Sequence, residues 1–177
     1  MAYQFSSYLV KGKPSLAKIL KPYPAACDVP IFYLWREIYH QWPNAKFILT
    51  IRDSNDWYDS VMGSIIHILN GTYLSIKPGD EFIFNLCREV LLNHFLKNTL
   101  HDRDTAQRIF ENHNFEIENT IPKKQLLVME IEEGWTPICD FLGLSLPVYE
   151  FPNLNSRAYL YKKYPDVFRS DKSRDLK

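Results

Sequence analysis

The chain has 177 residues, 46% hydrophobic and 15% aromatic, which is enough to fill one well-buried core and short for two, so a single domain is expected. Lys plus Arg (21) equals Asp plus Glu (21); a formal charge of zero argues against nucleic acid or an anionic membrane as partner and requires any anion site to be local. Cys27, Cys87 and Cys139 lie far apart with no CxxC pair, which fits reduced thiols in a cytosolic protein better than a disulfide framework or a zinc site.

The N-terminal stretch MAYQFSSYLVKGKPSLAKIL lacks a basic leader followed by a long apolar run, and no window approaches about 18 consecutive apolar residues. Neither a signal peptide nor a membrane span is expected, and a cytoplasmic location follows. A short apolar run, AACDV around Cys27, is the first candidate strand. Helical periodicity follows over Ile31–Trp42, then a β-branched, apolar run, KFILTI (Lys46–Ile51), with the character of a buried parallel strand. Further amphipathic helices are predicted over Asn55–Leu69, Asp80–Lys97 and Asp104–Ile121, with NGT (Asn70–Thr72) as a turn after the first of them. A second clear strand, QLLVMEI (Gln125–Ile131), precedes a short helix in GWTPICDFLG, and the tail after Pro147, notably residues 158–177, reads as surface chain. Strands alternating with helices of this length predict an α/β fold with a parallel sheet. Such folds commonly carry a Gly-rich phosphate loop, yet the sequence has six glycines and contains neither GxGxxG nor GxxxxGK[ST]. That absence counts against a kinase-like nucleotide enzyme.

The segment IRDSNDWYDS carries the chemistry. If the strand ends near Ile51 and Asp53 or Ser54 caps the next helix, Arg52 stands at the carboxyl edge of the sheet, where open α/β folds bind ligands. Its planar fork suits a phosphate or sulfate held by two parallel bonds. Ser60 lies about 9 Å up that helix, at ~1.5 Å per residue, with a hydroxyl able to donate to the same anion. The residues alone leave a plainer alternative open: Arg52 paired with Asp53 or Asp56, and Ser60 bonded to its own backbone.

WPNAKFILTIRDSNDWYDS resembles the segment of P-loop sulfotransferases that binds the 3′-phosphate of 3′-phosphoadenosine 5′-phosphosulfate (PAPS), in which a strand ends in Arg and a Ser follows eight residues later, here Arg52 and Ser60. DVPIFYLWREIYHQWPNAKFILTIRD, IPKKQLLVMEIEEGWTPICDFLGLSLP and FPNLNS resemble, in order, a divergent eukaryotic branch of the same enzymes found in flatworms and fungi, over roughly residues 20 to 157. The resemblance implies a P-loop NTPase-like, three-layer α/β fold and sulfuryl transfer from PAPS to a hydroxyl acceptor without a metal. Members of that family begin with a strand and a GxxRTGTxS-like loop for the 5′-phosphosulfate, which this chain lacks. The reading is therefore a truncated sulfotransferase-like domain with the first strand and P-loop absent, and with impaired transfer.

Asp28, in CDVP, is the candidate base, since the resemblance places an acidic residue of the acceptor pocket there. It fits equally as a cap for a helix starting near Pro30. The five histidines, His40, His67, His94, His101 and His113, show no HxH or HExxH spacing and read as solvated or core residues. Glu130, Glu132 and Glu133 read as a solvated helix start; Trp57, Tyr58, Phe32, Trp35, Phe82, Phe84 and Phe95 read first as core, and second as walls for an adenine or an acceptor. A competing reading is a non-catalytic binding protein, whose exposed sheet edge is covered by a partner or a second copy.

Overall fold

The computed structural model describes residues 1–70, 81–152, 156–163 and 165. The chain opens with two helices that the sequence reading left unassigned, α1 (Ala2–Lys11) and α2 (Leu16–Leu20). Gly12 ends α1 in the left-handed region at φ 66° and returns its N–H to Tyr8 O; Ser15 caps α2 by accepting from Lys18 N–H. These helices bury Phe5, Leu16, Ile19 and Leu20 with Leu34, Leu86 and Val90 in the first of three apolar clusters among the described residues.

The run around Cys27 is not a strand. Residues 21–28 are exposed, and Asp28 takes φ 66°, which breaks an extended backbone; without burial or a neighbouring ladder, a short apolar run has nothing to hold it as β-structure. The helix expected from Ile31 begins only at Trp35, because residues 29–34 form turns after Asp28; it is α3 (Trp35–Gln41).

Both stronger strand expectations hold. β1 (Phe47–Ile51) and β2 (Leu126–Glu130) pair in parallel, Phe47 opposite Leu126 through Ile51 opposite Glu130, and they form the sheet among the described residues. On β1, Phe47, Leu49 and Ile51 are half-buried while Ile48 and Thr50 are exposed, the period-two pattern of a strand covered on one face. The covered face meets Trp35, Ile117 and Ile121 in the second cluster.

After β1, one continuous helical rod runs as α4 (Ser54–Ser60), a π-helical segment (Val61–Ile65) and α5 (Ile66–Asn70). The widening is marked by the Ile66 N–H, which donates to Val61 O five residues back, and Ser64 Oγ donates to Ser60 O inside it. A second rod, α6 (Glu81–Arg88) followed by a π-helical segment (Glu89–Phe95), fills the next predicted helix; the expected turn at Asn70–Thr72 and the start at Asp80 lie partly or wholly outside the described residues. α7 (Arg103–Thr120) is capped by Asp102, which accepts from Thr105 N–H and Thr105 Oγ1. It packs on α4 through Tyr58, Leu96 and Ala106, the third cluster. A 3-10 turn (Ile131–Glu133) links β2 to α8 (Trp135–Leu142). Within the stretch expected as a surface tail, α9 (Arg157–Lys163) buries Leu160 at 7% exposure. No described helix is long and apolar enough to cross a membrane.

Candidate active site

The parallel register places the carboxyl ends of both strands side by side, so Arg52, one residue past Ile51, emerges next to Ile131 and Glu132 beyond β2. Asp53 is the helix cap: its Oδ1 accepts from Asn55 N–H at 2.8 Å and Asp56 N–H at 3.2 Å. The N–H groups of Asp56 and Asn55, with a smaller contribution from Arg52, hold its carboxyl below the usual range. The cap fixes where α4 begins, and so where Arg52 projects.

The Arg52 guanidinium is half exposed and lies 3.8 Å from the Asp56 carboxylate one turn on. A single loose, solvated ion pair leaves the fork available to a stronger anion. Ser60 ends α4 at the edge of the π-helical segment; its carbonyl accepts the Ser64 hydroxyl, while its own hydroxyl makes no bond to the described residues.

A cavity of about 1890 Å³ opens beneath this edge. Arg52, Asp28 and Trp57 line it, and Ser60 does not, so two of the three residues singled out from sequence share one space. Asp28 is exposed, with its Oδ1 accepting from Val29 N–H at 2.7 Å and its backbone carbonyl from Phe32 N–H at 3.2 Å. The left-handed Asp28 thus opens the turn that leads into α3, combining the capping role with a place on the cavity wall. Facing it, burial and, to a lesser degree, the Asp28 carboxylate push the Cys87 thiol up to about 11.

His113 is the residue the sequence reading passed over. It lines the cavity from the middle of α7, and burial pushes it down to about 4, with Arg36 acting in the same direction and Glu116 against it. Its ring stands edge-on to Phe95 at 5.2 Å and Phe32 at 5.9 Å, and those two phenyl rings meet at 5.1 Å. A signal was present: Ala106, Phe110, His113 and Ile117 recur at helical spacing, which sets His113 on the inward stripe. Trp57, also on the wall, stacks on Phe110 at 4.5 Å and 10°. No group of three or more potential metal ligands occurs among the described residues.

A family model described as a sulfotransferase domain matches residues 4–160. Ava biosynthesis cluster protein M of Aspergillus versicolor is 27% identical over 158 residues, an alignment covering 81% of this chain and 60% of that protein. The chain therefore spans less than two thirds of that relative's length.

Proposed function

The chain belongs to the sulfotransferase domain family, and from that premise we propose that its cavity takes PAPS and a hydroxyl acceptor, with Arg52 and Ser60 on the 3′-phosphate and Asp28 as base. The observation that carries this reading is Arg52 at the carboxyl edge of a parallel sheet, opening on the cavity that also holds Asp28. Bound PAPS would supply the sulfuryl group. Arg52 holds the nucleotide's far end at the sheet edge and so fixes its direction in the cavity, while Ser60, which does not line the cavity, is assigned to the same phosphate from the family motif. Asp28 accepts the proton of the acceptor hydroxyl as the new O–S bond forms, while the S–O bond to the 5′-phosphate breaks and its electron pair leaves with 3′,5′-diphosphoadenosine.

The half-exposed guanidinium fits the 3′-phosphate end. The 5′ end is served less well, because these 177 residues contain no Gly-rich loop of backbone donors. As this polypeptide alone, the protein binds nucleotide weakly and transfers slowly, since each missing charge-assisted bond costs about 1.5 to 3 kcal/mol. Calorimetric titration with 3′,5′-diphosphoadenosine tests the assignment. Arg52→Ala should weaken binding roughly 10- to 150-fold, and adenosine 5′-phosphate should not distinguish the two proteins. No heat with the wild type, or heat indifferent to the substitution, removes the cofactor site.

A second reading, a sulfotransferase paralogue that binds a partner or another copy rather than turning over, is favoured by one observation. The outer edge of β1 has no partner strand among the described residues, and Ile48 on the uncovered face of that strand is 41% exposed. Light scattering on a concentrated sample decides: a clean monomer disposes of self-association.

A further inference from the structure

The charge balance of the whole chain hides a local imbalance. Residues 1–27 hold Lys11, Lys13, Lys18 and Lys21 with no Asp or Glu, so the rest of the chain carries the matching acidic excess. All four lysines are exposed, and none pairs with a carboxylate among the described residues. Apolar side chains stand out beside them. α1 packs Phe5 and Leu9 on the first cluster, while Tyr3 and Val10, seven residues apart and so on one side of the helix, are 70% and 79% exposed. The Tyr3 ring meets the Phe82 ring of α6 edge-on at 6.4 Å, and Phe82 is itself 56% exposed, so the apolar strip continues from one helix to the next. α6 brings one acid to this border, the half-buried Glu81, and carries Arg88 at its other end. On α2, Leu16, Ile19 and Leu20 are buried in the same cluster while Lys18 stays in solvent.

We propose that α1, the turn after it and α2 dock this chain on the surface of an anionic lipid bilayer, with Tyr3, Val10 and Phe82 entering the interface and the four lysines on lipid headgroups. Exposed aromatic and aliphatic groups among lysines, with no acid in the same segment, suit such a surface: the apolar groups leave water and the long lysine stems reach back to the headgroups. Nucleic acid fits less well, because the segment has no arginine for bidentate phosphate contacts and Val10 offers a phosphate backbone nothing. Lys21 and Tyr23 also line the cavity, so docking brings the cavity's rim to the bilayer. Docking of this kind is independent of the sulfotransferase reading.

Flotation of the full chain with lipid vesicles tests it. Binding to phosphatidylcholine mixed with phosphatidylserine should exceed binding to phosphatidylcholine alone by about 10-fold or more and should fall as salt is added. Replacing all four lysines by Gln should lower it several hundred-fold, at about 5-fold for each lysine. Tyr3→Ser with Val10→Ser should weaken it about 10-fold, whereas Phe115→Ser, at a side chain 65% exposed on α7, should change nothing. Every substituted side chain is exposed, and circular dichroism checks that the variants fold. On the unsubstituted protein, a nitroxide-labelled lipid in the mixed vesicles should broaden the NMR signals of Tyr3 and Val10 and spare those of Phe115. No binding to the mixed vesicles, equal binding to the neutral ones, binding that survives loss of the lysines, or broadening that does not favour Tyr3 and Val10 overturns the proposal. Lysine-dependent binding that ignores Tyr3→Ser with Val10→Ser, or that transfers at equal strength to polyglutamate or single-stranded DNA, makes the patch a general polyanion site and overturns it too.

Discussion

Arg103, in the first turn of α7, reaches across to Asp59 on α4, with its Nη1 2.9 Å from Oδ1. Its Nη2 donates to Asn55 Oδ1 at 3.2 Å, and the guanidinium lies 4.9 Å over the Tyr58 ring. One side chain therefore grips α4 at three residues, on the helix that follows Arg52 and ends at Ser60.

Arg103→Ala should lower stability by about 1 kcal/mol, since the ion pair is roughly half exposed and the ring contact adds a similar small amount. Arg103→Lys should recover only part of it, because an ammonium cannot reach Asn55 and Asp59 together. Urea unfolding measures both, and a midpoint unmoved by Arg103→Ala would show that the grip contributes nothing.

Asp53 makes helix α4 pH-sensitive. Its folded pKa is lowered, so its contribution is present in full above the unfolded carboxylate range and is lost as pH falls through the folded value. Asp53→Asn keeps a capping oxygen but removes the charge. The acid limb of a thermal-stability profile should therefore flatten in Asp53→Asn below about pH 4, with little change near neutrality. Superimposable profiles would contradict this.

His113 loses stability in the same direction, over a higher pH window. Its folded value is pushed down to about 4, so the unfolded chain binds the extra proton between that value and the ordinary histidine range. Stability falls across this window on acidification and levels off below it. Burial is the main cause, Arg36 on α3 adds to it and Glu116 on α7 opposes it. Arg36→Met should raise the His113 midpoint observed by NMR, and an unchanged midpoint would leave burial as the sole cause.

The thiols should separate by reactivity. Cys27 is exposed, Cys139 is buried, and Cys87 is pushed up to about 11. With iodoacetamide at pH 8, mass mapping should find Cys27 labelled first, Cys87 slowly and Cys139 only on unfolding. Asp28→Asn should speed Cys87 labelling slightly, because the carboxylate is the lesser of the two causes. Labelling of Cys87 as fast as Cys27 in the native protein would contradict the raised thiol.

Leu96, with no exposed surface, sits where the second π-helical rod meets α7. Leu96→Ala should cost about 2 to 5 kcal/mol, enough to bring a domain of this size near its threshold. A loss under about 1 kcal/mol would mean that the third cluster collapses onto the gap.

Much of this arrangement is written locally. KFILTI and QLLVMEI are apolar in a way that only a buried ladder suits, and the charged residues after Ile51 mark the strand's end. AACDV has a similar composition and fails as a strand, because strand formation needs a neighbour and burial, and residues 21–28 have neither. The joining of Asp28 and Arg52 to one cavity depends on register and turn geometry that spacing does not encode. His113 looked like any of five histidines until three elements from distant parts of the chain closed around it.

The π-helical segment after Ser60 also bears on how this chain is set against its relatives. A rod with such a widening holds one residue more than an α-helix that begins and ends with the same facing. Each residue turns the helix by about 100°, so an ungapped comparison with a relative that is α-helical throughout would swing Ile68 and Leu69 away from the cavity they line here. A single-residue gap within Val61–Ile65, and another within Glu89–Phe95, keeps equivalent positions in equivalent places. Which residues of a homologue are counted as matching this pocket depends on those two gaps.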